Sequence, residues 1–153
     1  MKGQKLSTEN IRLIQEGNVD TAKSYLSFVD RDGRSPLFYS IIAGNTNMTD
    51  SLLTAGANVD LQDKNGWAPL HFAVQSYNLA AISLLLQNGA NIEICDEHGN
   101  TPLWRAVMAS QGKGGAITLL LDAGANPHSK NNSGISSYHL AKEIANYDII
   151  KFF

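Results

Sequence analysis

Cysteine occurs once in this chain, at Cys95. No intramolecular disulfide can form, and such usage suits a reducing compartment. Charge of neither sign dominates: 12 Lys and Arg stand against 14 Asp and Glu, for a net charge of −2. That balance lacks the basic stripe on which nucleic-acid binding depends. No stretch approaches the ~18–20 apolar residues of a membrane span, and Met1–Asn10 lacks the apolar run of a secretory signal. The expected location is therefore cytoplasmic, with neither nucleic acid nor membrane as partner. No linker or low-complexity segment interrupts the 153 residues, a length that suits one domain, 1–153, with a real core.

What is present is a repeat. The run Asp63-Lys64-Asn65-Gly66-Trp67-Ala68-Pro69-Leu70-His71-Phe72-Ala73 has a counterpart before it, Asp30-Arg31-Asp32-Gly33-Arg34-Ser35-Pro36-Leu37. Another follows it, Asp96-Glu97-His98-Gly99-Asn100-Thr101-Pro102-Leu103. The glycines at 33, 66 and 99 set a period of 33 residues, and Gly-Ala-Asn returns at 56–58, 89–91 and 124–126. A fixed period of this size signals stacked units, each burying its apolar face on its neighbours. Within a unit, Gly33 permits a tight tip, Pro36 opens a first helix where its missing N–H matters little, and Gly56 ends the second helix.

Two separate markers agree in register: Ala68-Pro69-Leu70-His71-Phe72-Ala73 with Thr101-Pro102-Leu103-Trp104-Arg105-Ala106, and the recurring Gly-Ala. On these residues the chain resembles the ankyrin repeat family over roughly 7–153. The resemblance implies an all-α solenoid of about five helix–turn–helix units joined by short β-hairpin loops, with the end units as caps. The units are 7–29 (N-terminal cap), 30–62, 63–95, 96–130 and 131–153 (C-terminal cap). The first has a connection about six residues shorter than the others, at Ser27-Phe28-Val29. The fourth carries two extra residues within Ala109–Gly115, where three glycines are expected to make a mobile, exposed loop. In the third, Tyr77 stands where the inter-helix turn usually has glycine. The last, with Phe152 and Phe153, is expected to pack back on the fourth.

Catalysis needs polar groups converging on one protected point, and no such set is evident. His71 and His139 occupy the family's histidine slot, where the implied role is hydrogen bonding between units. Cys95 and His98 stand three residues apart like half of a metal site, but no second pair at ligand spacing accompanies them. Gly112-Lys113-Gly114-Gly115 lacks the spacing and preceding strand of a phosphate loop. Asp30, Asp63 and Asp96 recur at the period and are expected to bond the hairpin backbone. Neither cofactor nor metal is expected, and an enzyme, whether hydrolase or metal enzyme, is the least favoured reading.

The resemblance implies a concave surface of hairpin tips and first helices that binds a folded protein. Candidate contacts are the positions that packing leaves variable. At the tips these are Arg31, Asp32 and Arg34, then Lys64, Asn65 and Trp67, then Glu97, His98 and Asn100. On and after the first helices they are Tyr39, Gln75, Tyr77, Trp104, Arg105 and Met108. Trp67 either meets a partner or lies over a neighbouring hairpin; Trp104, in the histidine slot, either meets a partner or fills space between units. The types gathered here are those enriched at interface cores. Asn100–Ala106 and the Ala145-Asn146-Tyr147-Asp148 stretch also look like the small stand-alone ankyrin proteins of bacteria, some of which neutralise a cognate toxin. The expectation is a non-catalytic binding protein, monomeric when free, whose partner is a toxin or effector domain; the alternative is a scaffold or adaptor.

Overall fold

The computed structural model describes residues 5–144 and 147–153. Residues 1–4 of the opening segment, and 145 and 146 of the Ala145–Asp148 stretch, lie outside the described residues. Among those described there are nine α-helices: α1 Thr8–Gln15, α2 Val19–Ser24, α3 Pro36–Ile42, α4 Thr46–Thr54, α5 Pro69–Gln75, α6 Leu79–Gln87, α7 Pro102–Ala109, α8 Gly115–Asp122 and α9 Ser137–Glu143. A 3-10 turn over Ile150–Phe152 follows. The fifth unit therefore pairs one helix with a turn, whereas the first four pair two helices. First helices α1, α3, α5, α7 and α9 stack on one another in one layer, and α2, α4, α6 and α8 stack in a second.

The core runs between the layers. Leu37, Leu70 and Leu103, each just after a helix-opening proline, are fully buried, as are Leu52, Leu85 and Leu120 on the second helices. Each such leucine contributes roughly 1.5–3 kcal/mol by leaving water. Ile42, next to the buried Ile41, is half exposed, because the helix turns it past the edge of the core.

Second helices begin on asparagine caps. The side-chain oxygens of Asn18, Asn45 and Asn78 accept from the N–H of Thr21, Met48 and Ala81 at 2.8–3.0 Å, which satisfies donors that the first helical turn leaves orphaned. The residue before each cap sits in the left-handed region: Gly17, Gly44 and, in the third unit, Tyr77 at φ 53°. A tyrosine there is uncommon, and its hydroxyl shows what it does. It accepts from Gly115 N–H at 3.2 Å, at the start of α8, which has no side-chain cap of its own. The fourth unit's lost asparagine cap is thus supplied by the third.

The glycine-rich insertion between α7 and α8 is not the exposed loop its composition suggests. A Cβ on Gly114 would lie 2.2 Å from the Phe152 ring, one on Gly112 2.9 Å from the Tyr147 ring, and one on Gly115 2.8 Å from the Tyr77 hydroxyl. Three aromatic side chains occupy the space a side chain would need, so close approach is the reason for these glycines. Phe152 packs on the fourth unit as expected, and Phe153 meets Tyr138 edge-on at 5.8 Å.

The histidine slot divides by its surroundings. His71 is fully buried; its Nδ1 accepts from Ala68 N–H at 3.1 Å and its Nε2 donates to the Asn100 carbonyl at 3.1 Å. These partners select the neutral ring and join the third unit to the fourth. His139 is exposed and bonds only the Ser136 cap of its own unit, since no further unit follows α9 among the described residues. Burial holds the His71 pKa below its ordinary 6.5, against the opposing pull of the Asn100 carbonyl and Asp96. The unfolded chain then binds the proton that the folded chain refuses, so this group's contribution is complete above about pH 6.5 and is lost as pH falls below it. Urea unfolding is predicted to show a midpoint falling between pH 7 and pH 5, with that part of the slope absent in His71→Gln. An unchanged slope in the variant would contradict the assignment.

Candidate functional site

Each tip is closed by one acidic or amide side chain. Oδ1 of Asp30, Asp63, Asp96 and Asn131 accepts the backbone N–H groups two and four residues on, at 2.7–3.0 Å in all four tips. The same residue's N–H donates back to the carbonyl at the fourth position, as from Asp63 to Trp67 at 2.9 Å. One backbone bond stacks each tip on the next: Lys64 N–H to Asp32 carbonyl at 2.9 Å, Glu97 to Asn65 at 3.1 Å, Asn132 to His98 at 3.0 Å. The hairpins are closed turns of this kind rather than ladders of strands.

With Oδ1 fully used, Oδ2 of each aspartate takes a different partner. Asp30 receives the Tyr39 hydroxyl at 2.5 Å, Asp63 receives Arg34 Nε from the preceding tip at 3.3 Å, and Asp96 receives Arg105 at 2.9 Å from Nε and 2.5 Å from Nη2. Arg105, placed where an apolar residue is common, is therefore the counter-ion of a carboxylate whose side chain is fully buried. Burial pushes the Asp96 pKa up, but Arg105, Asn100 and the His98 N–H outweigh it and hold the group below the usual carboxylate range. The balance at Asp30 is similar, with the Tyr39 hydroxyl and the Arg34 and Asp32 N–H groups overcoming burial. Tyr39 itself is pushed far up, by burial first and then by bonding to Asp30.

The fourth tip residue leans toward the next unit. Arg34 reaches Asp63, Trp67 reaches Arg105, and the amide of Asn100 meets Asn131 at 2.8 Å. The first two assemble a continuous row with residues of the first helices. The Arg34 guanidinium lies 5.1 Å from the Phe72 ring centre, and Phe72 meets Trp67 edge-on at 5.1 Å. Arg105 then stands 4.6 Å from the Trp67 ring and 5.7 Å from that of Trp104. Cation–π contacts of this kind add about 0.5–1 kcal/mol each at exposed sites. Because Asp63 and Asp96 fix the guanidiniums, the row is rigid before anything binds.

Sequence-predicted positions fall into three groups. Arg31, Lys64, Asn65, Gln75, Glu97, His98 and Met108 are exposed. Asp32, Arg34, Trp67, Tyr77, Trp104 and Arg105 are half-buried. Tyr39 and Asn100 are buried, at 9% and 3% exposure; bonding to Asp30 and to Asp96 explains them, and neither offers a surface side chain. Trp67 lies over its neighbour, and its remaining surface faces outward in the same row. Phe72 was not singled out, although its place nine residues after Asp63 matches that of Arg105 after Asp96. Ile42, Gln75 and Met108 share one register at the ends of α3, α5 and α7, all exposed. The indole N–H of Trp104 is buried with no hydrogen-bond partner among the described residues.

The Cys95–His98 pair does not converge. Cys95 Sγ donates to the Glu93 carbonyl at 3.4 Å, and His98 lies 3.6 Å from Glu97. Among the described residues no three His, Cys, Asp or Glu side chains cluster as metal ligands would. Partial desolvation, then Glu93 and Asp96, raise the Cys95 pKa, which disfavours the reactive thiolate.

A family model for ankyrin repeats, in three copies, matches residues 43–131. No curated protein matches the chain.

The two arginines of the row are predicted to differ in weight. Arg105→Ala leaves a fully buried carboxylate without its cation and should destabilise by about 3 kcal/mol, since backbone donors remain. Arg34, longer in its contact and 28% exposed, should lose about 1 kcal/mol on the same change. Urea unfolding of both variants checks the order; equal losses would contradict it.

Proposed function

Because the chain belongs to the ankyrin repeat family, we propose that it is a non-catalytic interaction module that binds a folded protein through its tip and first-helix face. The observation that carries this reading is the row Arg34, Phe72, Trp67, Arg105 and Trp104, flanked by exposed Lys64, Glu97, His98 and Met108. Aromatic and arginine anchors ringed by polar residues are what an interface core requires. Anchors already held by Asp63 and Asp96 lose little freedom on association, which lowers the entropic cost of binding. Stacked tips extend the face over several units, which suits a partner with a folded surface rather than a small molecule.

Within this reading, the chain either blocks its partner, as the resemblance to stand-alone bacterial repeat proteins suggests for a toxin or effector domain, or holds it as a scaffold. The two differ in the partner's own activity, which falls on saturation in the first case and persists in the second. No helix among the described residues is long and apolar enough to cross a membrane. We take the free protein as a monomer.

Affinity capture with wild type and with Trp67→Ala/Trp104→Ala is the test. The pair should lower affinity for a captured partner by about 2 kcal/mol per anchor, roughly 30-fold each. Trp67 also supports Arg105, so a second variant, Lys64→Glu/Glu97→Lys, alters only exposed tips and should weaken the same partner without changing the unfolding curve. Full binding by both variants would contradict the proposal.

A further inference from the structure

The third residue of the first helices differs along the stack: Phe38 in α3, His71 in α5, Trp104 in α7 and His139 in α9. Of the four, only His71 bonds to the next unit among the described residues. Phe38 has no polar side-chain atom, the indole N–H of Trp104 has no partner among the described residues, and His139 bonds Ser136 of its own unit. The junction that His71 bonds is the one across which Trp67 meets Arg105. What the ring joins is two peptide groups. Nδ1 accepts from the N–H of the Trp67–Ala68 peptide and Nε2 donates to the carbonyl of the Asn100–Thr101 peptide, each at 3.1 Å. The first peptide carries Trp67, whose ring centre lies 6.0 Å from that of His71. The second leads into α7, which Thr101 caps and which bears Trp104 and Arg105. One buried imidazole thus holds both partners of the Trp67–Arg105 stack.

We infer that His71 is the positioning residue of the binding face and makes that face acid-sensitive: a proton on its ring uncouples Trp67 from Arg105 while the chain stays folded. The inference rests on the protein-binding reading above and names a condition that switches that site off. An imidazole accepts at Nδ1 only while that nitrogen is bare; once protonated, it sets a donor against the Ala68 N–H. That bond is lost, and the peptide that aims Trp67 is released. Charged groups around the ring do not reverse this. Burial, the largest effect, and Arg105 oppose a charged ring; Asp96 and Asp63 favour one, but Arg105 and Arg34 already match them. Among the helices packed on α5, Arg105 is the only titratable residue of α7, Tyr39 of α3 is bonded to Asp30, and α6 has none. Glu97 and His98 of the next tip are exposed. A face ordered at neutral pH and loosened in acid binds more weakly as the ring charges, because its anchors must then be ordered on association.

The test is an NMR titration of the isotopically labelled full chain from about pH 7.5 to about pH 4, followed at the His71 ring, the Ala68 amide and the Trp67 indole. In wild type the three should shift together with one midpoint below 6.5, while the amides of α2 and α4 keep their folded positions. In His71→Gln the Ala68 and Trp67 shifts should lose that midpoint; in His139→Gln they should keep it. A Trp67 signal that stays still while the His71 ring titrates would overturn the inference, as would a Trp67 midpoint unchanged in His71→Gln. So would a His71 ring that takes no proton while the chain is folded, or a Trp67 transition that coincides with loss of the α2 and α4 amides. Wild type gives three of these four outcomes by itself, whether or not His71→Gln folds. No partner is present, so failure here leaves the Trp67 and Trp104 capture result standing, and the reverse also holds.

Discussion

A single oxygen closes each hairpin. Oδ1 of Asp30, Asp63, Asp96 and Asn131 takes two backbone N–H groups of its own turn, and everything displayed on the face depends on it. The turn fixes the direction of the fourth tip residue. That residue, leaning on the next unit, orders Phe72, Arg105 and Trp104 in turn. The second oxygen then decides how each unit is specialised. A tyrosine hydroxyl, an arginine from the tip before, or an arginine from its own helix satisfies it. Removing a hydrogen-bond partner from such a buried group costs about 1–3 kcal/mol, and more for a charge, so the surface row and the buried carboxylates stand or fall together.

Departures from the repeat compensate one another. Tyr77 accepts a left-handed backbone, and its hydroxyl caps the helix that lost its asparagine. The two extra residues near Gly114 make room for Phe152, and the last unit, short of a second helix, is closed by that ring instead. At the opposite end the connection after α2 is short, and among the described residues Lys5, Leu6, Thr8 and Ile11 line a cavity beside the first tip.

Much of this was legible in the residues. The period, the Pro-Leu helix starts and the bonding role of Asp30, Asp63 and Asp96 all follow from local rules that each unit obeys alone, and the family resemblance implied His71 as a structural histidine. What was illegible depends on contacts between units. Arg105 reads as an oddity until Asp96 is seen behind it. Glycines 112, 114 and 115 read as mobility because sequence does not reveal that Tyr147, Phe152 and Tyr77 occupy the space above them. Tyr39 and Asn100 looked variable, and were, but their variation answers a buried oxygen rather than a partner. His139 matches His71 in position and differs only in having no described unit beyond it.

Hydrogen exchange of the chain with and without its captured partner tests the central claim most directly, because it maps contact without altering any residue. The account predicts added protection over the tips at 64–67 and 97–100 and along α7, with the second-helix layer α4, α6 and α8 unchanged. Protection confined to that second layer, with the tips exchanging as in the free protein, would contradict it.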